Sequence, residues 1–422
     1  MKTSLIYRLS ENFFFRAGFL LCACAVLVVK GLIGVGVSQS MGSNFDTKYL
    51  YVAGHSWLEG LNAYDPEVAL RLGADLGLGN FGFFYPPQIA PLCLILAAFP
   101  WAKAKVVMTL LNVLSAGVLA FFCVLLVKRP KVKILKVPGS SPWWFIPAII
   151  ISNPITINVL WLGQTTLIAA AALVSGWYYA YRDRWVLSGI LIAIASIKPQ
   201  LSLLVILWLL LERRWRLLAV AAATTLIFSL VPMAISGPID VFFHWFASLG
   251  EYKLIFSNVL GSEAVFSIQN LLYTAGIKVP QLFPLAIVLA GLLWWYRSRL
   301  IIDDVVGILV AISLLFGLAH HYDLVALAPL VAAFWRHVHN RPGAALVAIA
   351  LMLAMLFPRA YLMTFVHNEL LLQYRVPLLL GTTIWLLVMS FKRRAAILLC
   401  SRIAGDLMFV PPDQKPSAFI GK

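Results

Sequence analysis

The sequence predicts an all-α polytopic membrane protein, and three observations carry that prediction. Of the 422 residues, 62% are hydrophobic and only 12% are charged, which leaves too little polar surface for a soluble protein of this size. The apolar residues form long runs, and a bilayer core about 30 Å thick requires about 20 of them per helix. The basic residues cluster between the runs. The pattern predicts a single integral membrane domain over residues 1–422, with about 11–13 transmembrane or re-entrant helices.

The formal net charge of +16 follows the positive-inside pattern of cytoplasmic loops. The basic clusters between apolar runs are Arg182–Arg184, Arg213–Arg216, Arg297–Arg299, Arg336–Arg341 and Lys392–Arg394. We therefore expect a bacterial inner membrane protein with both termini in the cytoplasm, surrounded by membrane lipids and without a nucleic-acid partner. His337 and His339 lie in one of these clusters and are predicted to be ordinary cytoplasmic residues.

The N-terminal part is predicted to contain one crossing followed by a long outer loop. Residues 17–38 form the first transmembrane helix, which lacks the cleavage site of a signal peptide. Residues 39–85 form the first periplasmic loop, in which 49–58 has the amphipathic pattern of a helix lying in the membrane interface. The apolar run 88–101 is too short for a crossing and predicts a re-entrant or half-depth helix before the full-length run 104–127.

The remaining bundle, within residues 86–391, is predicted to alternate across the membrane. Its expected crossings are 143–160, 165–181, 185–197, 200–211, 217–235, 281–296, 301–319, 324–335, 343–358 and 376–391. We expect an outer loop over 236–269 and a basic cytoplasmic tail over 392–422. The five cysteines show no zinc-ligand spacing, so neither a structural disulfide nor a metal site is predicted.

Polar side chains collect at the outer ends of the predicted helices. The main ones are Asp46, Lys48, His55, Tyr85, Asn153, Gln164, Lys198, Gln269, Asn270 and the run His320–Asp323. Ionisable groups at membrane depth are costly to bury and usually face a cavity or pathway. Their collection on one side predicts a functional site at the outer face.

Asp46 and Lys198 are the strongest individual candidates, and each has a structural alternative. A carboxylate just beyond the first helix could act as a general base toward a hydroxyl, or Asp46 could cap an amphipathic helix. Lys198, beside Pro199 in a short outer turn, could bind a lipid phosphate as a point charge. Its alternative is a lysine that extends to the membrane surface.

The histidine pair and the amides are more ambiguous. His320 and His321 could bind phosphate or sugar hydroxyls, relay protons or cap a helix end. Adjacent positions on a helix point about 100° apart, which disfavours a metal pair. Gln164 and Asn153 could bind sugar hydroxyls or satisfy backbone groups freed by a proline. Trp57 and Trp245 lie on outer loops and are the candidate aromatic surfaces for a sugar.

The order of these motifs resembles glycosyltransferase family 87. The motifs are Asn44-Phe45-Asp46, Tyr64-Asp65, Phe84-Tyr85-Pro86-Pro87, Asn153-Pro154, Gly163-Gln164, Lys198-Pro199 and His320-His321. Known members of that family are polyprenol-phosphate-mannose-dependent mannosyltransferases of the GT-C superfamily. The resemblance implies a GT-C-type helical bundle and an inverting hexosyltransferase of glycolipid biosynthesis. It would move mannose, or another hexose or pentose, from a polyprenyl-phosphate donor to a lipid or glycan hydroxyl at the periplasmic face.

The resemblance also implies roles for the outer polar residues. Asp46 matches the catalytic base. The expected donor-phosphate group is Lys198, His320 and His321, and the expected substrate pocket is Lys48, Tyr85, Asn153, Gln164, Gln269 and Asn270. Thr47 and Lys48 follow Asp46 where a second acid would complete a metal pair, so we expect metal-independent chemistry without a cofactor.

Three alternatives stay open at this stage. A flippase or transporter of a lipid-linked saccharide would use similar polar groups, although it requires them through the membrane depth. A polysaccharide polymerase or ligase would use a late outer loop such as 236–269. Within the enzyme hypothesis, Glu263 in that loop is a second candidate for the base.

Overall fold

Helices make up nearly all of the regular structure, as the apolar runs predict. The computed structural model describes residues 13–33, 44–78, 82–128, 144–252, 254–338, 342–357 and 362–408. Within that part of the chain, two short strands pair antiparallel, β1 (Val265–Phe266) and β2 (Ala319–His320), with Val265 opposite His320. This strand pair joins the late outer loop to the His320–Asp323 run.

The helices follow one another closely along the chain. In the first half they are α1 (Phe13–Val26, continued by a π-helical segment Leu27–Ile33), α2 (Phe45–Leu58), α3 (Pro66–Asp75), α4 (Ala90–Ala97), α5 (Trp101–Val127), α6 (Phe145–Ser152), α7 (Pro154–Leu162), α8 (Thr166–Ala180), α9 (Trp185–Ala195) and α10 (Pro199–Leu211). In the second half they are α11 (Trp215–Phe228), α12 (Leu230–Ser236), α13 (Asp240–Tyr252), α14 (Ile268–Thr274), α15 (Phe283–Trp295), α16 (Ile302–Phe316), α17 (Ala328–Val338), α18 (Pro342–Leu356), α19 (Glu369–Leu372) and α20 (Arg375–Met408).

Several helices are long and apolar enough to cross a membrane. Three qualify singly: Phe14–Leu32 with 19 residues, α5 with 27 and the segment Arg375–Lys392 of α20 with 18. The pairs α6–α7 and α11–α12, bent by 42° and 55°, raise the number to 5 if each pair is one crossing. Shorter apolar helices, including α8, α9, α10 and α15, complete the bundle. The chain is therefore a polytopic helical membrane protein, as predicted.

The bend between α6 and α7 has a local cause at Asn153-Pro154. Proline has no N–H and interrupts the helical hydrogen bonds. The Asn153 side chain accepts from Thr156 N–H at 2.9 Å and donates to the carbonyls of Ile149 and Ile150, both at 2.9 Å. The Asn153 amide thus satisfies the freed backbone groups, which is the structural alternative raised for it.

The core of the bundle is built around α8 and α16. Nearly every side chain of α8 and all but the two terminal side chains of α16 are buried. The α8 stretch Ala169–Ala172 and its Gly176 are small residues, which let helix backbones approach closely within a membrane. Gln164 lies just before α8 and the His320–Asp323 run follows α16, so the core determines the spacing of these parts of the outer polar cluster.

Two predicted segments differ from the structure. Within the expected loop 236–269, α13 is an amphipathic helix whose Phe243 and Phe246 are exposed, as in helices that lie in a membrane interface. The expected tail 392–422 begins as a continuation of α20 to Met408, since its Ala and Leu residues favour helix. Residues 409–422 lie outside the described residues.

At the end of the bundle opposite the outer polar cluster, charged side chains form a buried network. His337 Nε2 lies 2.8 Å from Asp304 Oδ2, and the His337 side chain is 1% exposed. Arg336 lies 3.4 Å from Asp304 and 3.8 Å from Asp303. The prediction that His337 is an ordinary loop residue is therefore wrong, because the buried Asp304 on α16 draws the imidazole into the interior. His339 lies outside the described residues.

This network gives a stability prediction. Asp304→Asn is expected to destabilise the protein by about 3 kcal/mol, because Arg336 would keep a buried charge with a weakened partner. Thermal unfolding in detergent measures the effect, with Asp183→Asn in an exposed turn as the control. Equal unfolding temperatures for the two variants would contradict a stabilising role for the network.

Candidate active site

Asp46 lies in the first turn of α2, where that helix is held against the end of α7. The Asn44 N–H donates to the Trp161 carbonyl at 2.7 Å, and the Thr47 hydroxyl donates to the Gly163 carbonyl at 3.3 Å. Gly163 has a left-handed backbone with φ 62°, and a Cβ there would overlap the Thr47 hydroxyl. Glycine at 163 therefore permits the contact that positions Asp46.

The Asp46 carboxyl is free for chemistry rather than used as a helix cap. The N-cap of α2 is Asn44, so the capping alternative for Asp46 is wrong. The Asp46 side chain is partly exposed and accepts a hydrogen bond from Gln164. The Gln164 Oε1 accepts from the Tyr85 hydroxyl at 3.0 Å and from the Thr165 N–H at 3.2 Å, which directs the amide NH2 toward Asp46.

The protonation of Asp46 suits a proton acceptor near neutral pH. Burial raises the pKa of Asp46 from 3.8 to about 7, while the Lys198 ammonium and the Gln164 hydrogen bond oppose the rise and the Asp323 charge adds to it. At neutral pH such a carboxyl is present in both protonated and ionised forms. A general base is most effective when its pKa lies near the working pH.

Lys198 belongs to a buried ion pair built from three separate segments. Its Nζ lies 3.0 Å from Asp323 Oδ1 and donates to the Thr166 hydroxyl at 2.7 Å. That hydroxyl donates to the same Asp323 oxygen at 3.0 Å. The Lys198 and Asp323 side chains are 4% and 0% exposed, so the surface-lysine alternative is wrong. Burial alone would raise the pKa of Asp323, but the Lys198 ammonium holds that pKa below its usual value.

His320 is held as a neutral imidazole next to this ion pair. Its backbone N–H donates to Asp323 Oδ2 at 3.1 Å. Its Nδ1 lies 3.1 Å from the Ala264 carbonyl, which can only accept, so Nδ1 carries a proton. Burial lowers the pKa of His320, and the neutral Nε2 then accepts from the Tyr252 hydroxyl 3.0 Å away.

His321 is engaged by protein groups at both ring nitrogens. The Arg375 Nη1 lies 3.3 Å from His321 Nδ1, and a guanidinium only donates, so Nδ1 accepts. His321 Nε2 then carries the proton and donates to the Glu263 carbonyl 3.1 Å away. The sequence-predicted phosphate role of the two histidines stays a prediction.

The structure separates the predicted site residues into two groups. Gathered around one centre through the contacts given above are Asp46, Tyr85, Gln164, Lys198 and His320. His321 follows His320 in the chain and contacts Arg375 and the Glu263 carbonyl instead. Of the others, Lys48 follows Asp46 by two positions on α2 and therefore points about 200° away from it. Asn270 is buried in backbone contacts to Gly261, Ser262 and Val265. Gln269 donates to the Val279 carbonyl at 3.4 Å, and Asn153 serves the α6–α7 bend.

Sequence reasoning did not single out three residues at this centre. Thr166 follows the Gly163-Gln164 motif by two positions, and its closeness to that motif could have indicated that it belongs to the site. Tyr252 lies at the end of α13, whose helical pattern was missed. Arg375 contacts His321, at the end of the bundle where the sequence predicts few basic residues, and that exception could have indicated it. Trp245, the predicted sugar surface, donates its Nε1–H to the Phe84 carbonyl at 3.1 Å.

The alternative base differs from Asp46 in its surroundings. Glu263 has an exposed side chain, whereas Asp46 lies beside the buried ion pair. Among the described residues, no group of three or more His, Cys, Asp or Glu side chains is arranged to hold a metal ion.

Comparison with known proteins identifies the family of the chain. The model of glycosyltransferase family 87 matches residues 83–357, more than half of the 422 residues. The chain belongs to glycosyltransferase family 87. No curated protein and no solved structure matches it. The matched span of this family 87 protein contains Tyr85, Gln164, Lys198 and His320, whereas Asp46 and Arg375 lie outside it. The family predicted from the motifs is thus confirmed, and the protein is a membrane glycosyltransferase.

Gly163 provides a test of how Asp46 is positioned. Gly163→Ala is expected to reduce sugar transfer by about tenfold or more, because the strain of a left-handed alanine and its overlap with Thr47 displace the first turn of α2. The control is Gly117→Ala on α5, where a Cβ meets no atom within 4 Å. Retained transfer in Gly163→Ala would show that this contact does not position the carboxyl.

Proposed function

We propose that this glycosyltransferase moves a sugar from a polyprenyl-phosphate donor to a lipid or glycan hydroxyl, with inversion, at the periplasmic face of a bacterial inner membrane. Mannose is the first donor sugar to test, because it is the sugar of the known family members, with other hexoses and pentoses next. The observation that carries the proposal is a partly exposed Asp46, with a pKa of about 7, beside the Lys198–Asp323 ion pair.

Asp46 is the base in this proposal. Its carboxylate takes the proton of the acceptor hydroxyl as the oxygen forms a bond to the anomeric carbon. The bond from that carbon to the phosphate oxygen breaks, and its electron pair leaves with the lipid phosphate. A single displacement of this kind inverts the anomeric centre and requires no covalent enzyme intermediate. Gln164 orients the carboxylate, and Tyr85 orients Gln164 through its 3.0 Å hydrogen bond.

Lys198 stabilises the charge that develops on the leaving phosphate. A fixed cation in a site of low dielectric acts most strongly where charge appears in the transition state. Asp323 and Thr166 hold the ammonium in place, since both lie within 3.0 Å of Nζ. The Tyr322 ring lies 4.8 Å from the same nitrogen and covers another of its sides.

The periplasmic orientation is supported by the distribution of basic residues. The Asp304–His337 network and the Arg297–Arg299 segment lie at the opposite end of α16 from the Asp46 centre. Basic loops favour the cytoplasm, so the Asp46 centre would face the other side. A sugar donor anchored by a polyprenyl chain reaches such a centre from within the membrane.

The function is tested with purified wild-type protein and synthetic polyprenyl-phosphate sugars, using membrane lipid extract as the source of acceptor. Release of polyprenyl phosphate together with glycosylated product, for one sugar of the panel, is the expected result. The anomeric configuration of the product then reports inversion. Binding of donor without cleavage of the sugar–phosphate bond would instead favour a transporter of lipid-linked saccharide and overturn the proposal.

A further inference from the structure

The helix α13 presents one continuous apolar stripe on the surface of the protein. Positions three and four apart share one face of an α-helix. The positions of α13 that follow this spacing from its first exposed phenylalanine are all exposed and all apolar: Phe243, Phe246, Ala247 and Gly250. The two phenylalanines are 66% and 60% exposed. Ile239 just before the helix and Leu254 just after it are exposed as well and lengthen the stripe.

The opposite side of α13 contacts the candidate active site. The buried and half-buried positions of that side, again at helical spacing, are Val241, Trp245, Ser248 and Tyr252. Trp245 donates its Nε1–H to the Phe84 carbonyl at 3.1 Å, next to the site residue Tyr85. The Tyr252 hydroxyl lies 3.0 Å from His320 Nε2 and donates to it. The position of α13 therefore determines contacts on two sides of the site.

A third side of α13 is polar. Asp240, His244 and Glu251 are exposed there, about 90° around the helix from the middle of the apolar stripe. His244 Nδ1 lies 3.1 Å from the Asn62 amide nitrogen of the first outer loop. A helix with an apolar side and a polar side lies in the plane of a membrane interface, with its polar side in water.

The apolar stripe continues the exposed apolar surface of the preceding helices. The bent pair α11–α12 is long and apolar enough to form one membrane crossing, and its exposed apolar side chains include Leu226, Ile227, Leu230 and Val231. Only residues 237–239 separate α12 from α13, so α13 begins at the level where the crossing ends. Because the helix contains two acidic residues and no Lys or Arg, the acyl chains rather than anionic headgroups are the part of the lipid that it fits.

We propose that α13 lies in the outer leaflet of the membrane, with the apolar stripe among the lipid acyl chains, and that this contact holds Trp245 and Tyr252 against the candidate active site. The choice of leaflet follows the periplasmic orientation proposed above, whereas the lipid contact itself does not depend on the proposed function. Without lipid, two phenylalanine side chains stay in water, and local opening of α13 becomes easier.

The lipid contact is tested by photo-crosslinking in liposomes. In the full-length protein, p-benzoylphenylalanine replaces Phe243, Phe246 or Glu251 in turn, and each variant is irradiated in phosphatidylcholine liposomes that contain a fluorescent phosphatidylcholine. The first two positions should yield at least about fivefold more lipid adduct than position 251 on the polar side. Addition of phosphatidylglycerol should leave these yields unchanged. Position 121 is the positive control, because Phe121 is 58% exposed on the crossing α5.

The effect on the site is tested by amide hydrogen exchange in the same liposomes. In the double variant that combines Phe243→Ala with Phe246→Ala, exchange of α13 and of the His320–Asp323 run should become about tenfold faster. Phe121→Ala, which removes an exposed ring elsewhere, should leave both segments unchanged.

Four results would overturn the inference: equal lipid adduct at positions 243 and 251, adducts to protein instead of lipid, adducts that require phosphatidylglycerol, and unchanged exchange in the double variant. If the lipid contact and the faster exchange are both found but no sugar is transferred from any donor, the membrane contact of α13 stands and the proposed function fails.

Discussion

Asp46→Asn is expected to lower kcat for sugar transfer by about 10²- to 10⁴-fold, with donor binding retained. Removal of a general base typically has an effect of this size. Asparagine preserves the shape of the side chain and its contact with Gln164, so the loss would report proton transfer rather than packing. The measurement is the rate of polyprenyl phosphate release under saturating donor and acceptor.

Asp75→Asn is the matched control, because Asp75 is an exposed acid in the same outer segment. It should transfer sugar at the wild-type rate. Donor affinity, measured separately, should be equal in both variants and in the wild type. Normal turnover by Asp46→Asn would leave the family assignment intact and remove Asp46 from the role of base.

The fold could be predicted from the sequence where hydrophobicity alone determines structure. The run of α5 is apolar throughout its 27 residues, and the short α4 was expected because its run cannot span a bilayer. The helix α13 was missed for the opposite reason. It is amphipathic and follows Gly237 and Pro238, so its apolar residues do not form the continuous run that indicates a crossing.

The candidate site was predicted as a collection of residues but not as a set of contacts. Lys198 and Asp323 were both recognised at outer helix ends, yet they are 125 residues apart in sequence, and nothing local indicates that they pair. Arg375 was overlooked because its one signal, a basic residue at the end of an apolar segment, indicates no partner in the sequence. Contacts of this kind arise only when the α8 and α16 core fixes the distances between helix ends.

Lys198→Gln is expected to lower kcat by about 10²-fold or more and to shift the pH dependence of the reaction. In the wild type, transfer should decline as the pH falls below about 7, since Asp46 must be ionised to accept a proton. The Lys198 ammonium favours the ionised form of Asp46, so its removal raises the pKa of Asp46. The acid limb of the pH–rate profile should therefore move to higher pH.

Asp323→Asn tests the same coupling with the opposite sign. The Asp323 charge contributes to the raised pKa of Asp46, so its removal should move the acid limb to lower pH, even if kcat also falls because Lys198 loses its partner. A purely structural disturbance would lower the rate in both variants without shifting the limbs in opposite directions. At pH values above both limbs, Asp46 is ionised in every variant. At such pH values, the remaining reduction in kcat of Lys198→Gln relative to the wild type measures how much the ammonium stabilises the departing phosphate.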